Sequence, residues 1–266
     1  MPTAARPRCV LTIAGSDPTG GAGIQADLKT FAAHGVHGLS AIAALTAQNS
    51  RGVAAVHVPP PAFLGEQIDA CFADFDIGAV KIGMLANANS IRVVADALER
   101  HRPKHIVLDP VMAASSGGRL LAHSAMQALR ARLLPLATVI TPNIPEAQQL
   151  LGHPIVDADD AETALVELLA LGARAVLLKG GHLTGSEVID RLDDGRRLYE
   201  FVHPRLDIDG RGTGCTLASA IAANLCLGSE LPEACERATD YMHGALAHAH
   251  QPGKGKSAVL DHFWKP

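Results

Sequence analysis

The chain has 266 residues, a net charge of −4, five cysteines and few aromatic residues. Its length suits one large α/β domain or two small ones. With no basic run and few rings to stack on bases, nucleic acid is excluded as the main partner, and the apolar runs are too short and interrupted to span a membrane.

From the N-terminus, short β-rich runs alternate with helical stretches almost to the end, the pattern of a parallel sheet wrapped by helices. Residues 9–14 read as a strand, followed by a glycine-rich loop at 15–23. A helix over 24–34 puts Ile24, Leu28 and Phe31 on one face and stops at Gly35. Residues 39–45 form a strand that delivers Thr46 to Gln48, 53–58 a short edge strand, and Pro59 to Pro61 open a helix reaching Phe75. Strands at 79–82, 105–108, 137–140 and 173–178 alternate with helices at 90–101, 124–134, 145–151 and 159–171. An antiparallel pair at 187–192 and 197–202 turns over Asp193, Asp194 and Gly195. A last helix covers 231–250, and the tail after Pro252 reads as loop.

The stretch 210–228 organises the rest. Gly212 and Gly214 flank Thr213, Cys215 follows, and an Ala-rich run leads to Gly228. Thr213 is the expected N-cap and Gly228 the C-cap of a buried helix. Such a helix start offers free N–H groups and a positive dipole end, and glycines let an anion approach the bare backbone. The thiol beside this cradle is expected to have a lowered pKa and to accept a proton from a substrate hydroxyl. The loose transition state of phosphoryl transfer needs no strong base, and no neighbouring histidine supports a covalent role. A tight turn before a core helix, with Cys215 as a small buried hydrophobe, is the plainer reading.

Six predicted strands run into Gly15 to Asp17, Gln48, Met84, Asp109, Asn143 and Lys179. In a parallel sheet these groups share one edge, where open α/β sheets bind ligands. Gly20, Gly21 and Gly23 match neither GxGxxG nor the P-loop, but two glycine loops at helix starts suit the acceptor and the transferred group. Asp109 and Glu146 are candidate ligands for a hard cation such as Mg²⁺, which uses few carboxylates and leans on substrate phosphates; helix capping is the alternative for Glu146. Lys179, before Gly180 and Gly181, places a cation where a nucleotide fits. Asn143 suits phosphate or metal-bound water, or simply a turn. His248 and His250 read as surface residues. The scattered cysteines (9, 71, 215, 226, 235) show no CxxC or zinc spacing, which points to reduced thiols in a cytoplasm, and no signal peptide is read.

The stretches at 14–31 (AGSDPTGGAGIQADLKTF), 44–49 (ALTAQN), 81–85 (KIGML), 108–112 (LDPVM), 141–147 (TPNIPEA), 179–182 (KGGH) and 212–217 (GTGCTL) closely resemble the bacterial hydroxymethylpyrimidine/phosphomethylpyrimidine kinases of thiamine biosynthesis. The resemblance covers essentially the whole chain and implies one ribokinase-like domain over 1–266, a three-layer α/β/α sandwich with a mostly parallel central sheet. It implies use of ATP and Mg²⁺ to phosphorylate 4-amino-5-hydroxymethyl-2-methylpyrimidine and then its monophosphate, a cytoplasmic homodimer, and no thiamine-phosphate synthase extension. By position, Gln48 would bond the aminopyrimidine, with Gly15, Asp17 and Met84 lining its pocket. Gly212, Gly214 and Cys215 would form the anion hole and catalytic position; Asp109, Asn143 and Glu146 would serve the phosphate–Mg²⁺ region; Lys179 and Thr213 the ATP side.

Two stretches depart from the family pattern. The run at 113–119 lacks the usual acid and lysine, and Asp209-Gly210-Arg211 replaces Asn-Thr-His, leaving Arg211 as a cation near a phosphate. A pyridoxal or pyridoxine kinase on the same scaffold is the nearest alternative, which Gln48 disfavours because an amide meets both the ring nitrogen and the exocyclic amine of an aminopyrimidine. A non-catalytic pyrimidine or nucleotide sensor is the alternative of a different class.

Overall fold

The computed structural model describes residues 7–112 and 123–264. The departure at 113–119 lies outside the described residues. β1 (Cys9–Ser16) leads through the first glycine loop into α1 (Gly23–Ala33). β2 (His37–Asn49) and β3 (Gly52–His57) pair antiparallel, and α2 (Pro61–Asp74) returns the chain to β4 (Ile77–Ile82). The alternation continues with α3 (Ala88–His101), β5 (His105–Leu108), α4 (His123–Ala128), β6 (Val139–Ile140), α5 (Ile144–Leu151), α6 (Ala158–Ala170) and β7 (Val176–Leu178). β8 (Glu187–Asp193) and β9 (Leu198–Pro204) form the hairpin expected from the turn residues between them. The two-residue β10 (Gly210–Arg211) precedes α7 (Thr213–Leu227), α8 (Leu231–Ala247) and β11 (Ala258–Val259).

Nine strands form one sheet in the order β3-β2-β1-β4-β5-β6-β7-β8-β9. From β2 to β7 every neighbouring pair is parallel, and the antiparallel strands stand at the two edges. Period-two alternation feeds two cores. Leu11 and Ile13 of β1, with Val80 and Ile82 of β4, pack against α2, α3, α5 and α6. Val10 and Ala79 face α1, α7 and α8. Each fully enclosed Leu or Ile contributes about 1.5–3 kcal/mol, so both sheet faces are anchored independently of any ligand. α7 is buried continuously from Thr216 to Cys226, as its apolar composition requires, and Gly228 closes it in the left-handed region.

Several boundaries differ from the sequence reading. β2 runs on to Asn49 because β3 folds back and pairs with it, so Gln48 stands on a strand rather than after one. The helix expected at 124–134 is α-helical only to Ala128 and then loosens into a π turn over Leu129–Leu133 and a 3₁₀ turn over Leu134–Leu136; Pro135 supplies no N–H to continue it. Thr213 is not the N-cap of α7. Gly212 holds that position at φ +84°. The last helix stops at Ala247, and the tail is not only loop, because β11 pairs in parallel with β10 beside the glycine cradle.

Candidate functional site

The carboxyl ends of the six parallel strands open on a cavity of about 660 Å³. Gly15, Asp17, Gln48 and Met84 line it together with Asp109, Asn143, Glu146 and Lys179, and so do Gly212, Thr213, Gly214 and Cys215. Residues up to two hundred positions apart meet because most of them close or follow strands of one parallel array, while Gly212 to Cys215 reach the same edge after β10, a strand of the separate two-stranded sheet.

The two glycine loops touch. A Cβ on Gly212 would stand 2.0 Å from the Gly21 carbonyl oxygen, and one on Gly23 would stand 2.3 Å from the Gly15 carbonyl oxygen. Both positions also have positive φ, so only glycine fits without rearrangement. A Cβ on Gly214 would meet Lys179 Nζ at 3.1 Å and Asp109 Oδ2 at 3.3 Å. The bare first turn of α7 therefore lies directly against a cation and a carboxylate.

Asp17 is occupied within the first loop. Its carboxylate accepts from the Thr19 and Ala22 backbone N–H groups and from the Thr19 hydroxyl. Arg211 Nε lies 3.6 Å from it, and Arg211 Nη1 donates to the Asn49 carbonyl at 3.0 Å. Arg211, 6% exposed, thus ties the second loop to the first and to the end of β2 instead of projecting freely toward a phosphate.

Two lysines flank Cys215, one buried and one half-buried at the cavity. Lys81 Nζ donates to both oxygens of Asp27 at 2.8 and 2.9 Å, and neither side chain is exposed. Thr12 Oγ1 and Ser219 Oγ also donate to Asp27, at 2.6 and 2.8 Å. Ser219 lies one turn beyond Cys215 on α7, so this network fixes the helix that carries the thiol. Burial works against the Lys81 charge, but Asp27, Cys215 and Asp109 outweigh it and raise its pKa. Across the cavity Lys179 Nζ donates to Asp109 Oδ1 at 2.9 Å and lies 3.8 Å from Glu146 Oε2. Burial opposes its charge too, and Asp109 and Glu146 outweigh it.

Glu146 and Asn143 form a capping box at the start of α5: Asn143 Oδ1 accepts from the Glu146 N–H, and Glu146 Oε2 accepts from the Asn143 N–H. The capping role coexists with a place at the cavity wall. Burial pushes the Glu146 carboxyl up to about 7; Lys179 pulls it down and Asp109 pushes it up.

The expected lowering of the Cys215 pKa is wrong. Burial pushes the thiol up to about 11 against the opposing pull of Lys81, while Asp27 and Asp109 raise it further and the Gly23 N–H lowers it. Loss of water around the sulfur exceeds what the helix terminus supplies. Cys215 is therefore a neutral thiol at physiological pH.

On one side of the cavity Gly15 and Met84 meet, with 3.2 Å between the Met84 sulfur and a Cβ placed on Gly15. Among the described residues no protein group hydrogen-bonds the Gln48 side-chain amide. The opposite side is built from β8, the 203–209 segment and α8, including Val188, Met242 and Leu246. Sequence reading missed this half, because apolar residues on a hairpin and a terminal helix carry no motif. It also missed its two supports. Buried Asp190 accepts the Gly180 N–H at 2.8 Å, and Arg205 donates to the carbonyls of Gly181, Leu183 and Gly185, bracing the loop after Lys179.

Known proteins give the same direction. The family model for phosphomethylpyrimidine kinase matches residues 17–260. The chain is 48% identical to the hydroxymethylpyrimidine/phosphomethylpyrimidine kinase of Rhizobium meliloti, over 96% of this chain and 98% of that one. It is 49% identical to a thiamine biosynthesis bifunctional protein of Geobacter sulfurreducens over 94% of this chain, and spans about half of that relative's length (51%). Among solved structures, a pyridoxal kinase of Bacillus subtilis complexed with ADP superposes with a TM-score of 0.89 at 34% identity, covering 97% of this chain and 98% of that one. A phosphomethylpyrimidine kinase of Clostridium difficile superposes with a TM-score of 0.79 at 44% identity, covering 89% of this chain and 98% of that one. The ribokinase-like expectation for the fold holds, and with a family match over nearly its whole length the chain belongs to the phosphomethylpyrimidine kinases.

Proposed function

We propose that this chain, as one kinase domain, transfers the γ-phosphoryl group of ATP to the hydroxymethyl group of 4-amino-5-hydroxymethyl-2-methylpyrimidine, and then a second to the monophosphate. The observation that carries the reading is the meeting of the bare first turn of α7, Lys179 and Asp109 at the mouth of one cavity. Phosphoryl transfer is catalysed mainly by positioning and by stabilising anionic oxygens, and this junction supplies backbone N–H groups and an ammonium without a strong base.

In this reading Gln48, Gly15 and Met84 hold the ring, and the unengaged Gln48 amide bonds its nitrogens. Asp17 acts through the loop it braces rather than by touching the ring. Gly212, Thr213 and Gly214 cradle the transferred group, and Lys179 draws its oxygens. The neutral Cys215 thiol lies beside the acceptor hydroxyl and positions it by a hydrogen bond while its oxygen bonds to the γ-phosphorus and ADP leaves; the hydroxyl proton passes to an oxygen of the transferred phosphoryl group. Asp109 and Glu146, both drawn to Lys179, present hard oxygens at the cradle, with Asn143 fixing Glu146. That sparse set fits Mg²⁺, which keeps waters and takes phosphate oxygens as its other ligands. When bound, the ion neutralises phosphate charge. A cytoplasmic homodimer suits five free cysteines and the β2–β3 edge, where Leu45 and Val56 are 42% and 41% exposed.

Superposition on a pyridoxal kinase keeps phosphorylation of pyridoxal as the second reading. ADP release from Mg-ATP separates the two when hydroxymethylpyrimidine, its monophosphate and pyridoxal are compared side by side. Turnover on both pyrimidines with little on pyridoxal is expected; turnover mainly on pyridoxal replaces the first reading, and none on any makes the chain a sensor.

A further inference from the structure

A second pocket of about 500 Å³ lies between the turn joining β2 to β3 and the tail before β11. Arg51, Arg211, Lys254 and Lys256 line it, with Asp209 as its single carboxylate. The tail is locked onto the turn by close backbone contact. A Cβ on Gly255 would stand 2.1 Å from the Ser50 carbonyl oxygen, and one on Gly253 2.6 Å from Ser50 Oγ. The Gly255 N–H donates to Ser50 Oγ at 2.9 Å, and Gln251 Nε2 donates to the Gly255 carbonyl. Lys254 and Lys256, on either side of Gly255, are thereby held on the same pocket as Arg51.

Among the described residues none of Arg51, Lys254 and Lys256 forms an ion pair. Asp209 accepts the Ser257 hydroxyl at 2.8 Å, and Arg211 is engaged by Asp17 with its Nε buried and lacking a hydrogen bond. Arg51, Lys254 and Lys256 are exposed, so water screens part of their mutual repulsion, and an anion seated among them removes more of it. Ammonium and guanidinium groups match phosphate oxygens well, by charge-assisted hydrogen bonds.

We propose that this pocket is a second anion site, separate from the glycine cradle, that takes a phosphate or diphosphate group. It shares Arg211 and Asp209 with the main cavity, so its occupant lies beside the end of β2 that carries Gln48. Free diphosphate and a diphosphate ester leaving the cavity present the same chemistry.

The test is calorimetric titration of inorganic diphosphate into the full chain already saturated with a non-hydrolysable ATP analogue, which fills the glycine cradle. One further binding event is expected. It weakens about tenfold or more in Lys254→Ala/Lys256→Ala, the loss of two charge-assisted contacts, while ADP release with hydroxymethylpyrimidine stays at the wild-type rate. A pyrimidine diphosphate competing for the event identifies the ester as a source; its failure to compete leaves free diphosphate. No binding event, or an unchanged Kd in the double variant, overturns the proposal. Arg51→Gln, on the opposite wall, is a second variant that leaves the tail intact: it too weakens binding, and unchanged binding there is equally contrary. The titration reads binding alone, so failure of the kinase reading leaves its outcome interpretable.

Discussion

Lys81 and Lys179 are both paired with aspartates around the same thiol, yet their surroundings differ. Lys81 and Asp27 are wholly enclosed and surrounded by hydroxyls from β1 and α7. Lys179 is 14% exposed and opens on the cavity, lying between Asp109 and Glu146 and against Gly214 in the first turn of α7. A closed pair is part of the scaffold, because removing one partner strands a charge where water cannot reach it. An open pair exchanges partners when an anion arrives. One type of interaction thus does two jobs, decided by access to the cavity.

The largest expected effect is on the closed pair. Lys81→Met leaves Asp27 charged and buried, and should lower stability by about 3–5 kcal/mol; Lys81→Met/Asp27→Asn should recover much of it in chemical denaturation. A single variant as stable as wild type would erase the distinction. Next, Lys179→Met should lower turnover by about 10²–10³, the scale for removing one group that stabilises transition-state charge, with a smaller drop in melting temperature than Lys81→Met. The opposite ranking would break the comparison.

Glu146 sharpens it through pH. Its carboxyl, raised to about 7 from an ordinary 4.5, holds its proton more tightly in the folded chain. At low pH both states are protonated and this group costs nothing. As pH climbs through about 4.5 to 7 the unfolded chain releases the proton first, so the stability contribution is lost with rising pH. Melting curves of Glu146→Gln should fall less steeply than wild type across that window; parallel curves would put the carboxyl's pKa back in its ordinary range. The smallest effect is expected at Gln48→Ala, which removes one or two hydrogen bonds to the ring. KM for the pyrimidine should rise about tenfold with kcat little changed, and an unchanged KM would remove Gln48 from ring recognition.

The alternation of strands and helices was legible because each strand is an apolar run cut off by a polar or glycine-rich end, and those ends became the cavity wall. α7 was legible from its apolar composition and from Gly228. Other features depended on tertiary context. The pairing of Asp27 with Lys81 joins positions 54 apart, and neither residue carries a local sign of its partner. Two-residue strands such as β10 and β11 are too short to show a period, so the docking of the tail on the cradle was invisible. The Cys215 pKa was misread because a helix terminus is visible in sequence and desolvation is not. Arg211 was read as a free cation because its neighbours, Asp17 and the Asn49 carbonyl, come from distant segments.

The central claim is that phosphoryl transfer occurs beside Cys215. Its most direct test follows labelled γ-phosphate from ATP to hydroxymethylpyrimidine in wild type and Cys215→Ala, with the ATP Kd measured in both. Wild type should give labelled monophosphate and then diphosphate. Transfer slower by about 10² is expected in the variant, the scale for misplacing a reacting group, at an unchanged ATP Kd. Transfer at the wild-type rate by Cys215→Ala, or no labelled pyrimidine from wild type, would contradict it.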